Sequence, residues 1–124
     1  MKNVKDEVNA ALLTITENVS DSYPKEWAQN GPTIQFTEEE NSVFEGTSCA
    51  EGMREEKAKV RYRIDIWAHK NTSPTAVAVD NVVSALGLKR IGCADTPDPS
   101  GMKHKVMRYE GIIDMDSDRV YWLN

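Results

Sequence analysis

From Lys59 to Ala68 the chain alternates apolar and polar residues without a break. Val60, Tyr62, Ile64, Ile66 and Ala68 fall on one side, and Lys59, Arg61, Arg63, Asp65 and Trp67 on the other. Successive strand side chains point to opposite faces, so this segment reads as a strand with one face on a core and one polar. Strands covered on both faces are apolar on both sides. A one-sided pattern therefore belongs to an antiparallel sheet with a single covered face.

The remaining segments supply the cover. Val4, Val8, Ala11, Leu12, Ile15 and Val19 recur at spacings of three and four, which predicts an amphipathic helix fading near Ser20 and closed by Tyr23-Pro24. Residues 23–32 read as a loop broken by Pro24, Gly31 and Pro32. Thr33–Thr37 and Ser42–Glu45 read as two short strands joined by a turn at Glu38-Glu39-Glu40-Asn41. Gly46 to Lys57 reads as a long mobile loop. A second helix begins at Asn71-Thr72-Ser73-Pro74, carries the stripe Ala76, Val79, Val82, Val83 and Leu86, and stops at Gly87. Its many valines are poor helix formers, so packing must hold it. Leu88–Cys93, Lys105–Met115 and Arg119–Leu123 read as strands, with a proline loop at 95–101 and a turn at Asp116-Ser117-Asp118. The order α-β-β-β-α-β-β-β predicts an α+β, two-layer sandwich: a mostly antiparallel sheet with two helices on one face.

A chain of 124 residues fits one domain, 1–124, which buries roughly two-thirds of its unfolded surface and needs no metal or disulfide. Twenty acidic against 15 basic residues, a net charge of −5, argue against a dedicated nucleic-acid binder. No run approaches the ~20 apolar residues of a spanning helix, and the start lacks the apolar stretch of a signal peptide. Cys49 and Cys93 are expected as reduced thiols, a disulfide between them being the minor alternative.

Little catalytic chemistry can be assembled. His69, His104, Cys49 and Cys93 lack the paired spacing of a zinc site, and a chance collection is the plainer reading. Cys93 stands in Ile91-Gly92-Cys93-Ala94 without a nucleophile signature, and a structural thiol is the plainer reading. Isolated Gly92 and Gly101 make no phosphate loop. Asp114, Asp116 and Asp118 have calcium-loop alternation but no loop glycine or distant glutamate, and so read as a charged hairpin turn.

Basic residues do gather. Lys59, Arg61 and Arg63 share one strand face, and Lys103, Lys105 and Arg108 lie on a later strand. Neighbouring strands would give a basic stripe beside Trp67. Such a stripe fits contact with nucleic acid, contact with acidic residues of another subunit, or, most commonly, a solvated face crossed by weak salt bridges.

Three stretches carry a family resemblance: Lys59 to Ser73 (KVRYRIDIWAHKNTS), Leu86 to Arg90 (LGLKR) after the valine-rich helix, and Asp98 to Asp114 (DPSGMKHKVMRYEGIID). They resemble tail completion proteins of siphophages and prophages, also called tail terminator or tail-to-head joining proteins. The likeness runs from the first helix to the last hairpin and rests on the order and character of segments. It implies a small non-enzymatic virion assembly protein with helices on one side of a sheet. It implies a hexameric ring that caps the finished tail tube at the head-proximal end, assembled in the host bacterial cytoplasm. The implied partners are further copies of the chain, the major tail tube protein and the head–tail connector; no cofactor and no membrane are expected. A subunit that stays monomeric until the tube arrives is compatible with that role.

Rings need two different, complementary patches on each subunit. Arg61, Arg63 and Arg108 on the basic face, Glu39 and Glu55 in acidic loops, and Trp67 and Trp122 as aromatic anchors are the candidate contacts. Local packing under loops is the competing reading for both tryptophans. The rival function is a small nucleic-acid-binding or regulatory module using the basic face. A hydrolase built on Cys93 or the histidines comes last.

Overall fold

The computed structural model of the chain describes residues 1–23, 32–49 and 52–122, with backbone alone at 47–49 and 52–54. Residues 24–31 of the loop expected at 23–32, the Cys49 side chain and Leu123 lie outside the described residues. Among the described residues, α1 (Lys5–Leu13) is followed by β1 (Val19–Ser20), β2 (Thr33–Cys49), β3 (Gly52–Ala68), α2 (Ser73–Ser84), β4 (Lys89–Asp95), β5 (Lys103–Asp114) and β6 (Val120–Tyr121). The fold is α+β. The strand order is β1-β2-β3-β5-β4, with β6 beside β5; the pairings are antiparallel except the short parallel contact of β1 with β2.

The order of elements matches the expected one for a partly different reason. The first helix ends at Leu13, six residues short of Val19. Thr14 Oγ1 donates to the Ala11 carbonyl at 2.6 Å, and Thr16 Oγ1 accepts from Asn18 N–H at 3.2 Å. Threonine hydroxyls offer the backbone local partners that compete with the helical ladder. The chain straightens, Val19–Ser20 joins the sheet, and Ile15 and Val19 still pack on the core.

The second difference is larger. The turn expected at 38–41 does not exist: β2 runs through it as one 17-residue strand with a bulge at Glu39. Three glutamates in a row look like a solvated turn, but Arg61 and Arg108 stand across from them and supply the counter-charge. The described residues of the mobile loop expected at 46–57, 46–49 and 52–57, are also strand, the outer part of the β2–β3 pair. β5 accompanies β3 only from Lys57 onward, so residues 45–49 and 52–56 form a two-stranded arm beyond the main sheet.

Both helices lie on one face. Val8, Leu12, Ala76, Val79 and Val83 meet Ile34, Phe36, Val60, Tyr62, Ile64, Ile66, Met107, Tyr109 and Ile113 in one buried cluster. The apolar side of β3 predicted from its alternation is therefore the covered one. Two tyrosines tie helices to sheet at their polar tips. Tyr62 Oη accepts the Val4 N–H at 3.0 Å, and Tyr109 Oη donates to Asp80 at 2.8 Å. Burial pushes the Tyr62 phenol up to about 12. No helix among the described residues is long and apolar enough to cross a membrane.

Candidate functional site

The face of the sheet away from the helices is where the chain has groups left over. The continuous pairing of β3 with β5 sets Lys57, Lys59, Arg61, Arg63, Asp65 and Trp67 directly across from Asp114, Ile112, Glu110, Arg108, Val106 and His104. Three zones follow from this register.

The middle zone is charged and internally balanced. Arg61 Nε donates to Glu110 at 2.9 Å and its guanidinium lies 3.9 Å from Glu40. Arg63 makes a two-point contact with Asp65 at 2.7 and 3.0 Å. Arg108 Nε donates to Glu39 at 3.0 Å, and Lys57 lies 3.3 Å from Glu45. These contacts raise the pKa of Arg61 and Arg63, through Glu110 and Asp65 respectively. The expected basic stripe is therefore a checkerboard; its half-exposed pairs contribute little stability, and only the Arg63 pair has a buried carboxylate, Asp65. Lys103 and Lys105 leave the stripe altogether. They pair with Ala68 and Ile66, on the helix side, and Lys105 reaches Asp95 at 2.9 Å. Residues 105 and 108 differ by an odd number, and a strand's period of two puts them on opposite faces. Glu39 and Glu55 sit in strands rather than loops; Glu55 holds the N-terminal amine at 2.8 Å.

The upper zone is closed. Trp67, read either as a contact anchor or as packed under a loop, is 1% exposed and takes the second place. It stacks on His104, with ring centroids 4.4 Å apart and planes within 8°, and Tyr23 meets its edge at 5.5 Å. Its Nε1 donates to Asp98 in the proline loop at 3.1 Å. His104 Nε2 lies 3.0 Å from Asp65 Oδ2, and its Nδ1 faces Asp98 Oδ1 at 3.8 Å. Burial alone would raise the Asp98 carboxyl. Hydrogen bonds from Ser100, Trp67 and Tyr23 outweigh it and hold the group at about 2, against an ordinary 3.8. A carboxyl whose folded pKa is lowered stabilises the fold fully above its unfolded value, and that contribution is lost as pH falls through the folded value. The thermal midpoint is therefore expected to drop between about pH 4 and pH 2, and a pH series in Asp98→Asn should show a lower but flatter profile over that range.

The lower zone is apolar. Phe44, Ile91, Ile112 and Trp122, with Lys59, Lys89, Glu110 and Gly111, line a groove of about 180 Å³. Phe44 is 41%, Ile91 43% and Trp122 42% exposed. The bulges of β2 and β4 matter here: Phe44 and Ile91 are both at register shifts, which turn extra side chains onto this face. Lys89 Nζ lies over the Trp122 ring at 4.7 Å. Exposure of Trp122 was one of the two readings its sequence left open; that of Phe44 and Ile91 was not legible, because their register depends on bulges.

The remaining candidates disperse. Among the described residues no three His, Cys, Asp or Glu side chains converge as metal ligands. Cys93 is exposed and pairs with Met107, on the opposite sheet face from His104, so the two do not share a site. Asp114 accepts both the N–H and the hydroxyl of Ser117, which lowers its pKa and makes the 116–118 segment a hydrogen-bonded turn. No protein-family model matches the chain, and no curated protein matches it at a significant level.

Proposed function

We propose that the protein is a phage tail completion subunit, which assembles into a ring that caps the tail tube and meets the head–tail connector. The observation that carries this reading is the groove of Phe44, Ile91 and Trp122 on the uncovered sheet face. Large exposed apolar side chains gathered at one place mark interaction surfaces, and aromatic anchors rimmed by charge are the usual centre of one. The arm of residues 45–49 and 52–56 points the same way, because a two-stranded ribbon is marginal in water until something packs on it. The resemblance of Lys59–Ser73 and Asp98–Asp114 to tail completion proteins supplies the identity of the assembly. The tight pairing of Arg61, Arg63 and Arg108 with carboxylates leaves little net positive field for a nucleic acid.

Light scattering behind size exclusion, from micromolar to near-millimolar protein with and without a cognate tail tube protein, tests the reading. Oligomers of about six subunits, or co-elution with the tube protein, are expected. The Phe44→Ser, Trp122→Ser double variant should keep its fold and lose at least ~30-fold in association, the loss of one hot spot. A monomer that ignores the tube protein and instead binds DNA in a salt-dependent manner would replace this reading with the nucleic-acid one.

A further inference from the structure

The sheet has two edges. On one side β1 covers β2 only at Ile34 and Gln35, and from Phe36 onward β3 is the neighbour of β2 among the described residues. On the other side β4 is outermost, and all seven of its residues are exposed. Such edges present rows of N–H and C=O groups to any strand that arrives, and proteins blunt them with charge and bulges. Here both edges carry both devices, but with opposite signs. The β2 edge has Glu38, Glu39 and Glu40 with a bulge at Glu39. The β4 edge begins Lys89-Arg90 with a bulge at Ile91. Two β2 edges would set glutamates against glutamates, and two β4 edges would set cations against cations. Only β2 against β4 sets acid against base. Like edges repel and unlike edges attract, which is how an interface is made specific.

We infer that β4 of one subunit adds to the free edge of β2 in a second copy, carrying the sheet from subunit to subunit. This rests on the ring reading above and names its interface. Strand directions alternate across β2-β3-β5-β4, since each neighbouring pair is antiparallel. A copy related by rotation about an axis along the strands therefore brings β4 against β2 in the antiparallel sense. The contact is heterologous, so it propagates from copy to copy and makes a ring when the rotation between copies closes. One register keeps each side chain on its own face and stays clear of β1: Ala94 opposite Thr37, and Cys93 opposite Glu38. Ala94 and Thr37 pair internally with Val106 and Arg63 on the open face; Cys93 and Glu38 pair with Met107 and Tyr62 on the helix face. With both bulges counted, Lys89 falls diagonal to Glu40 and Arg90 diagonal to Glu38. Glu38 Oε2 is buried without a hydrogen-bond partner within the subunit, and Arg90, half-exposed and 3.3 Å from Asp80 in its own subunit, supplies one by sharing its guanidinium between the two carboxylates.

The test uses the native exposed thiol of Cys93. Cross-strand Cβ atoms stand ~5 Å apart, close to disulfide reach. In a Glu38→Cys, Cys49→Ser chain, mild oxidation should give a ladder of covalent oligomers extending past the dimer, because each subunit links twice. Charge exchange gives an independent reading that leaves the cysteines alone. Lys89→Glu and Glu40→Lys should each weaken association at least ~10-fold, and the two together should recover most of it. Oligomers by light scattering that give no ladder and ignore the charge exchange would overturn this interface and leave the ring standing. A cross-linked dimer and nothing larger would overturn the head-to-tail arrangement. A monomer at every concentration, alone and with tube protein, would overturn the ring reading and this inference together.

Discussion

Gly87→Ala is expected to cost the protein a large share of its stability. Gly87 closes α2 with φ +96°, a conformation L side chains rarely adopt. A Cβ there would also stand 2.4 Å from the Val120 carbonyl oxygen, a backbone atom of β6 that cannot swing aside. The strained φ costs on the order of 1–3 kcal/mol, and overpacking adds roughly another 1–3. Against a total of about 5–15 kcal/mol, that removes a large share. Gly101→Ala is the control. Its φ is +79°, but a Cβ there meets nothing within 4 Å. Denaturant midpoints of the two variants separate backbone strain from collision: Gly101→Ala should shift modestly and Gly87→Ala severely. Equal shifts would mean that the Val120 contact relaxes freely.

Trp67→Ala is the second large effect. The ring is 1% exposed, stacked on His104 and donating to Asp98. Truncating a buried tryptophan costs about 3–5 kcal/mol, and here it also strips one donor from an ionised carboxylate. Trp67→Phe should retain the stacking and lose only the donor, at about 1 kcal/mol. Trp122→Ala should move stability within about 0.5 kcal/mol while weakening association. Urea unfolding of the three variants, followed by far-ultraviolet circular dichroism, decides. Equal destabilisation by Trp67→Ala and Trp122→Ala would contradict the division of the face into a closed upper end and an open lower groove.

The two tryptophans show where sequence reasoning stops. Trp67 stands on the polar face of β3 and Trp122 just past β6, and the sequence left both open between contact anchor and local packing. Trp67 is buried because Tyr23 and the loop of Asp98 come back over it from distant parts of the chain. Trp122 stays open because among the described residues nothing comparable covers it. The basic face shows the same thing. Lys59, Arg61 and Arg63 were correctly placed on one side, yet the carboxylates that neutralise Lys59 and Arg61 arrive from β2 and β5, and only Arg63 takes its partner, Asp65, from its own strand. The turn expected at Glu38–Asn41 failed for this reason: a run of glutamates favours strand only when arginines stand opposite, and local sequence cannot see across strands.

The sequence by itself determined the class of fold, the covered face of β3, the body and stop of α2, and the antiparallel character of the sheet. These follow from periods of 2 and 3.6 and from Pro and Gly at element ends, all of which act within a few residues. The tertiary structure alone decided the length of the β2–β3 hairpin, the bulges that turn Phe44 and Ile91 outward, the closure over Trp67 and the two oppositely charged edges. Those are matters of register and of contacts between residues far apart in the chain. A one-residue change in register moves a side chain to the other face.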